Sequence, residues 1–235
     1  MPARIAGIAR GVFIAGTDTG VGKTVMACAL LHGLAGRGLR VVAMKPVAAG
    51  AQRRGGLWHN DDVMQLRAAG NVDVPLELTN PYCFAPPVAP HIAAHAAGKT
   101  IRMAVIAKRY AQLARRAEVV VVEGVGGLLV PLGRTLNAAD IPLRLGLPVV
   151  LVVGLRLGCL NHALLTIEAL QARGLRLAGW IANGIDPGMA RPTQSLDALR
   201  TRIKAPLLGK VGYTRKPQSA RIARALDISL LNAVI

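Results

Sequence analysis

Gly16-Thr-Asp-Thr-Gly-Val-Gly-Lys-Thr24 follows directly on the apolar run Val12–Ala15 and leads into the Ala/Leu-rich segment Lys23–Ala35. Strand, glycine-rich turn and helix, in that order, are the setting in which a Gly…Gly-Lys-Thr pattern wraps phosphate. Glycines let backbone N–H groups turn inward around the anion. The helix that follows directs its positive end at the same point. Gly20, Val21, Gly22, Lys23, Thr24 and Val25 form the candidate cradle. Lys23 supplies a point charge to the terminal phosphates of ATP and Thr24 a hydroxyl to Mg2+.

Outward from this stretch, short β-branched runs alternate with longer Ala/Leu/Arg segments. The strand candidates are Val12–Ala15, Val41–Met44, Val119–Val122, Val149–Val153, Leu177–Ala182 and Leu207–Val211. Several are apolar without alternation, as strands buried on both faces of a helix-covered parallel sheet must be. The helix candidates are Lys23–Ala35, Asp61–Ala69, Met103–Arg116, Leu160–Ala172, Ser195–Ile203 and Ser219–Leu226. The alternation predicts an α/β fold: a doubly wound, mainly parallel sheet flanked by helices, P-loop NTPase-like, with residues 1–235 as one domain. The Pro-rich stretch from Asn71 to Lys99 is expected to be irregular and to wrap the carboxyl edge of the sheet, where ligands bind in such folds.

Two further positions carry chemistry. Val119-Val-Val-Val-Glu123 ends a buried strand on an acid, followed by Gly124-Val-Gly-Gly127. A carboxylate there is costly unless it meets a cation, so Glu123 is a candidate Mg2+ ligand. Lys45 ends the strand Val41–Met44 among apolar neighbours, at the same sheet edge as the phosphate loop. Asp61 and Asp62 follow a Gly-rich turn. One of them supplies a third carboxylate near the metal, or they simply cap the amino end of the helix, and the residues alone leave the two readings even.

Composition narrows the function. The chain is 52% hydrophobic and 17% charged, which excludes disorder. The net charge of +17 comes from basic residues scattered singly or in pairs such as Arg53-Arg54, without interleaved aromatics. That favours a solvated basic surface over a nucleic-acid interface. Three cysteines, none in a Cys-x-x-Cys pair, suggest neither a disulfide framework nor a zinc site. No signal peptide is evident, and the longest apolar stretch, Leu147–Val153, is too short to cross a bilayer. A cytoplasmic protein without membrane or nucleic-acid partners is expected.

The ordered motifs resemble those of the dethiobiotin synthetase family. They are Gly16–Thr24; Lys45-Pro-Val-Ala-Ala-Gly50; Asn80-Pro-Tyr-Cys-Phe84; Pro90-His-Ile92; Val122-Glu-Gly-Val-Gly-Gly127; Leu157-Gly-Cys-Leu-Asn-His162; Ala178-Gly-Trp-Ile-Ala-Asn183; and Pro206-Leu-Leu-Gly209. The resemblance spans nearly the whole chain. It implies an ATP- and Mg2+-dependent cyclo-ligase of biotin biosynthesis that joins CO2 to 7,8-diaminononanoate through a phosphorylated carbamate. It implies that Lys23 and Lys45 are catalytic, and that Thr24, Asp62 and Glu123 hold the metal. The choice of Asp62 over Asp61 comes from the resemblance alone. ATP is implied at Gly20–Val25, Asp62, Glu123, Gly124, Val125 and Gly126, with Asn183, Gly184, Val211, Gly212 and Tyr213 beside the adenine. The substrate is implied at Thr19, Ala49, Gly158, Cys159 and Asn161, the last three reaching across from the second subunit of a homodimer.

The chain also departs from the family pattern. Ala49 stands where a Ser or Thr is usual, Gly20 for Glu, Ala89 for Ser and Gly212 for Pro. Two rival classes fit less well. Cobyrinate amidases carry a glutamine-hydrolysing domain, for which this length leaves no room. Partitioning ATPases carry an extra lysine early in the loop, at a position read here as Thr17.

Overall fold

A computed structural model describes residues 10–232. The expectation about a leader falls in part on residues 1–9, outside the described residues. In chain order the elements begin β1 (Arg10–Gly16), α1 (Lys23–Ala35), β2 (Val41–Met44), β3 (Val47–Ala48), β4 (Gln52–Arg54), β5 (Leu57–His59) and α2 (Asp61–Ala69). Next come α3 (Leu76–Thr79), β6 (Tyr82–Cys83), α4 (Pro90–Ala96), α5 (Met103–Ala114), β7 (Val119–Glu123) and α6 (Asp140–Leu145). The chain continues with β8 (Val149–Leu155), α7 (Cys159–Ala172), β9 (Leu177–Gly184), α8 (Pro192–Arg202), β10 (Leu207–Val211) and α9 (Ser219–Ala223), then a 3-10 turn at Ile228–Leu231.

The main sheet has six parallel strands in the order β10-β9-β8-β1-β7-β2. Adjacent residues of each strand serve opposite faces, which is why the runs are apolar throughout. Val12 and Ile14 face a core shared with α1, α2 and the carboxyl-terminal helices. Phe13 and Ala15 face the other core, shared with α4, α5, α7 and α8. With helices on both faces, all six strands deliver their carboxyl ends to one edge, where β1, β2 and β7 lie side by side. β2 pairs with β7 in the register Met44↔Val122, so Lys45 and Glu123 leave the sheet as neighbours.

The expected elements are all present, with shifted ends. α5 stops at Ala114, α8 begins three residues early at Pro192, and α9 ends at Ala223. The stretch 71–99 is more ordered than expected. It contains α3 and α4, and β6 pairs in parallel with β3. Short-range pattern misses these pieces because each is held by a distant partner. Asn71 shows how: its backbone N–H donates to the Val41 carbonyl and its Oδ1 accepts the Val41 N–H (2.7 Å), sealing the free edge of β2. Among the described residues, no helix is long and apolar enough to cross a membrane.

Candidate active site at the carboxyl edge of the sheet

Gly16 is the last residue of β1, and five residues, not the usual four, separate it from Gly22. Thr17 therefore takes the place of the first loop glycine, and the turn starts one residue past the strand's end. Gly22 caps α1 with φ +91°, a conformation that disfavours a side chain. A Cβ there would lie 2.4 Å from Asn183 Nδ2, whose own hydrogen bond goes to the Val21 carbonyl at 2.8 Å. Asn183 thus buttresses the loop from β9.

Three strands bring the charged groups together. Lys45, almost fully buried, donates from Nζ to Glu123 Oε1 at 2.8 Å and to Asp62 Oδ2 at 2.5 Å. Thr24 donates its hydroxyl to the same Glu123 Oε1 at 2.9 Å. Lys23 donates to the Asp18 carbonyl at 2.9 Å. Burial alone lowers the Lys45 pKa, but the Glu123 and Asp62 carboxylates outweigh it and hold the ammonium above its ordinary value. Lys23 goes the other way. Burial, reinforced by Lys45 and only partly offset by Glu123, brings it down to about 8.

The donor set suits Mg2+. Glu123 is 1% exposed, and its Oε2 has no hydrogen-bond partner among the described residues. An unpartnered buried carboxylate oxygen beside a threonine hydroxyl and a second carboxylate is an all-oxygen arrangement of the kind this cation takes.

The helix cap sets Asp61 and Asp62 apart. Asn60 is the N-cap of α2: its Oδ1 accepts the Val63 N–H, and its Nδ2 donates to the Ala49 carbonyl at 3.0 Å. Neither acid caps the helix. Asp61 is exposed beside His59, while Asp62 turns to Lys45.

A cleft of about 670 Å³ collects Thr19, Gly20, Gly22, Lys23, Thr24, Val25, Lys45, Ala49, Asp62, Glu123, Gly124, Val125 and Gly126. Its far wall is the apolar run Pro87–Pro90, with Val130. Gly124 is required by close approach, since a Cβ would meet Phe13 Cζ at 2.8 Å. Val21 lies beneath the loop, buried. Asn183, Gly184, Val211, Gly212 and Tyr213 lie outside the cleft, at the paired ends of β9 and β10. Gly158, Cys159 and Asn161, at the start of α7, are also outside it, Cys159 buried and Asn161 exposed.

Sequence reasoning missed four groups. Asn80 donates to the Lys45 carbonyl at 2.6 Å and fixes the strand end from the Asn-Pro-Tyr motif. Asn60 clamps Ala49. Asp18 pairs with Arg156 at 2.5 Å. Gln65 lines the cleft one turn beyond Asp62. The Asn80 motif was visible as a pattern, but nothing local says what an asparagine 35 positions away will hold.

The fold and this cleft define a P-loop NTPase-type protein built for phosphoryl transfer. A family model described as an AAA domain matches residues 10–221. The ATP-dependent dethiobiotin synthetase BioD of Aromatoleum aromaticum is 55% identical over 219 residues, which cover 93% of this chain and 97% of that protein. The chain belongs to the ATP-dependent dethiobiotin synthetase family. Among solved structures, cobyrinic acid a,c-diamide synthase from Mycobacterium smegmatis, with bound ADP and magnesium, aligns with a TM-score of 0.55 at 19% identity, covering 95% of this chain and 94% of that one. A ParA family ATPase from Chlorobium tepidum aligns with a TM-score of 0.57 at 11% identity, covering 95% and 99%. At these identities the two structures speak for the fold alone.

Proposed function

We propose that this protein closes a cyclic urea, converting 7,8-diaminononanoate, CO2 and ATP to dethiobiotin, ADP and phosphate. The observation that carries the reading is buried Lys45 set against Glu123 and Asp62, in the same cleft as Lys23 and Thr24. A generic phosphate loop has no need of a second buried lysine there. An apolar far wall at Pro87–Pro90 suits an alkyl chain.

One amine of the substrate adds to CO2 and loses a proton, giving a carbamate. A carbamate oxygen then attacks the γ-phosphorus as the bond to ADP breaks. The second amine attacks the carbamoyl carbon, loses a proton, and phosphate departs. Such a transfer depends on positioning and charge neutralisation more than on covalent help. Lys23 and Lys45 supply positive charge to the oxygens that gain negative charge. Thr24, Asp62 and Glu123 would hold Mg2+, which when bound neutralises phosphate charge. Backbone N–H groups of Gly20–Val25, with Gly124, Val125 and Gly126 opposite, bracket the phosphates. Asn183, Gly184 and Val211–Tyr213 flank the base, and Thr19 and Ala49 face the diamine.

Gly158, Cys159 and Asn161 are assigned to the substrate carboxylate. Because they lie outside their own chain's cleft, the assignment requires a homodimer in which they serve the partner's site. The chain acts as one P-loop α/β unit in the cytoplasm, without nucleic acid or membrane as partner.

The test mixes protein, ATP, Mg2+, bicarbonate and 7,8-diaminononanoate, with mass spectrometry for dethiobiotin. ATP hydrolysis that ignores the diamine, with no product, would overturn the assignment.

A further inference from the structure

Asp18 belongs to the phosphate loop but does not line the cleft. It accepts three hydrogen bonds from three directions. Its carbonyl takes the Lys23 ammonium at 2.9 Å. Its Oδ1 takes the backbone N–H of Thr19 at 2.7 Å, which shapes the crest of the loop. Its Oδ2 takes Arg156 Nη2 at 2.5 Å.

Arg156 directly follows β8, and its own carbonyl accepts the N–H of Cys159, the first residue of α7, at 3.0 Å. A continuous path therefore runs from the ammonium of Lys23, through Asp18 and Arg156, to the first turn of α7. The backbone beneath it is a fixed platform: Thr17 N–H donates to the Val152 carbonyl, and Val21 packs on Gly154. The side-chain pair is the part of the connection free to change partners.

Lys23 has two possible acceptors, the Asp18 carbonyl and a phosphate oxygen. Taking the second means leaving or sharing the first, which alters what holds Asp18. The pair itself is about 40% exposed on both sides (39% for Arg156, 42% for Asp18). An ion pair that open adds little to stability. Its placement therefore matters for what it connects.

We propose that Asp18 and Arg156 are positioning residues that relay phosphate occupancy at Lys23 to the amino end of α7. The relay rests on the reading of the loop as a nucleotide site, and coupling of this kind needs an element that both ends bias.

Hydrogen–deuterium exchange with mass spectrometry tests it on the full-length protein, with and without Mg2+ and a non-hydrolysable ATP analogue. Peptides covering 16–25 report the loop, and peptides covering 157–164 report the start of α7. In the unaltered protein and in Arg156→Lys, the analogue should change exchange of the α7 peptide by about threefold or more. In Arg156→Met and Asp18→Asn that response should fall below about 1.5-fold, while the loop peptide stays protected. A full α7 response in both Arg156→Met and Asp18→Asn would overturn the relay. So would an α7 peptide that never responds while the loop is protected. Absence of protection at 16–25 in the unaltered protein would instead remove the nucleotide reading, and the relay with it.

Discussion

Replacing Lys45 by Met should destabilise the protein and reveal what the lysine neutralises. The side chain of Lys45 is 6% exposed and that of Glu123 1%, with 2.8 Å between their charged atoms. Methionine keeps the length and removes the charge. Among the described residues Glu123 would then keep a single donor, the Thr24 hydroxyl on Oε1, and Oε2 would remain without one. Removing one partner of a buried pair costs about 3–5 kcal/mol, because the other charge stays behind. We take about 3 kcal/mol, since the second carboxylate, Asp62, is 45% exposed and can turn to solvent. For a chain of this size that is a fall in Tm of about 6–12 °C. Thermal and urea unfolding without nucleotide measure it. The double variant Lys45→Met/Glu123→Gln should recover most of it. A loss under about 0.5 kcal/mol, or a double variant no more stable than the single one, would refute the buried-charge argument. Turnover should fall by a factor of about 1000 or more, while nucleotide affinity stays within about threefold.

Nucleotide affinity should weaken above about pH 8, by up to about tenfold per pH unit, as Lys23 loses its proton; Lys23→Arg should bind with a flat profile over the same range. In unfolding experiments the two lysines act in opposite senses. The folded pKa of Lys23 is lowered, so the unfolded chain binds the extra proton between about 8 and 10.5, and this group adds stability as pH rises through that window. Lys45 is raised, so its contribution is complete below 10.5 and is lost as pH climbs through its folded value. Gly22→Ala forces a Cβ onto φ +91° and into Asn183, at a cost of about 1–3 kcal/mol; calorimetry should show at least about tenfold weaker ADP binding, unrescued by Asn183→Ala. Ala49→Ser restores a hydroxyl to the cleft wall and should lower the KM for the diamine by about 2–10-fold without altering the KM for ATP.

Much of the fold was legible without coordinates. Runs such as Val119–Val122 are apolar at every position because both faces of the sheet are covered, and that shows in any short window. β2, β10, α1 and α2 fall where their residues predict, since turn glycines and acidic helix starts act locally. The small strands β3 to β6 left little trace. β3 and β6 owe their pairing to each other across a long stretch of chain, while β4 and β5 form a hairpin across Gly55-Gly56; at two or three residues each, none is long enough for a periodicity to build up.

The sequence by itself determined the parallel sheet, the phosphate loop and the acid and lysine at two strand ends. These depend on residue type and on neighbours a few positions away. The tertiary structure alone decided which of these groups meet. Lys45 reaches Glu123 across 78 positions because the β2–β7 register sets Met44 beside Val122. Arg156 reaches Asp18 across 138 positions because β8 lies beside β1. Asp62 rather than Asp61 faces the site because Asn60 fixes where the first turn of α2 begins. Register and cap geometry come from packing over the whole chain, so a local reading could name the participants but not their contacts.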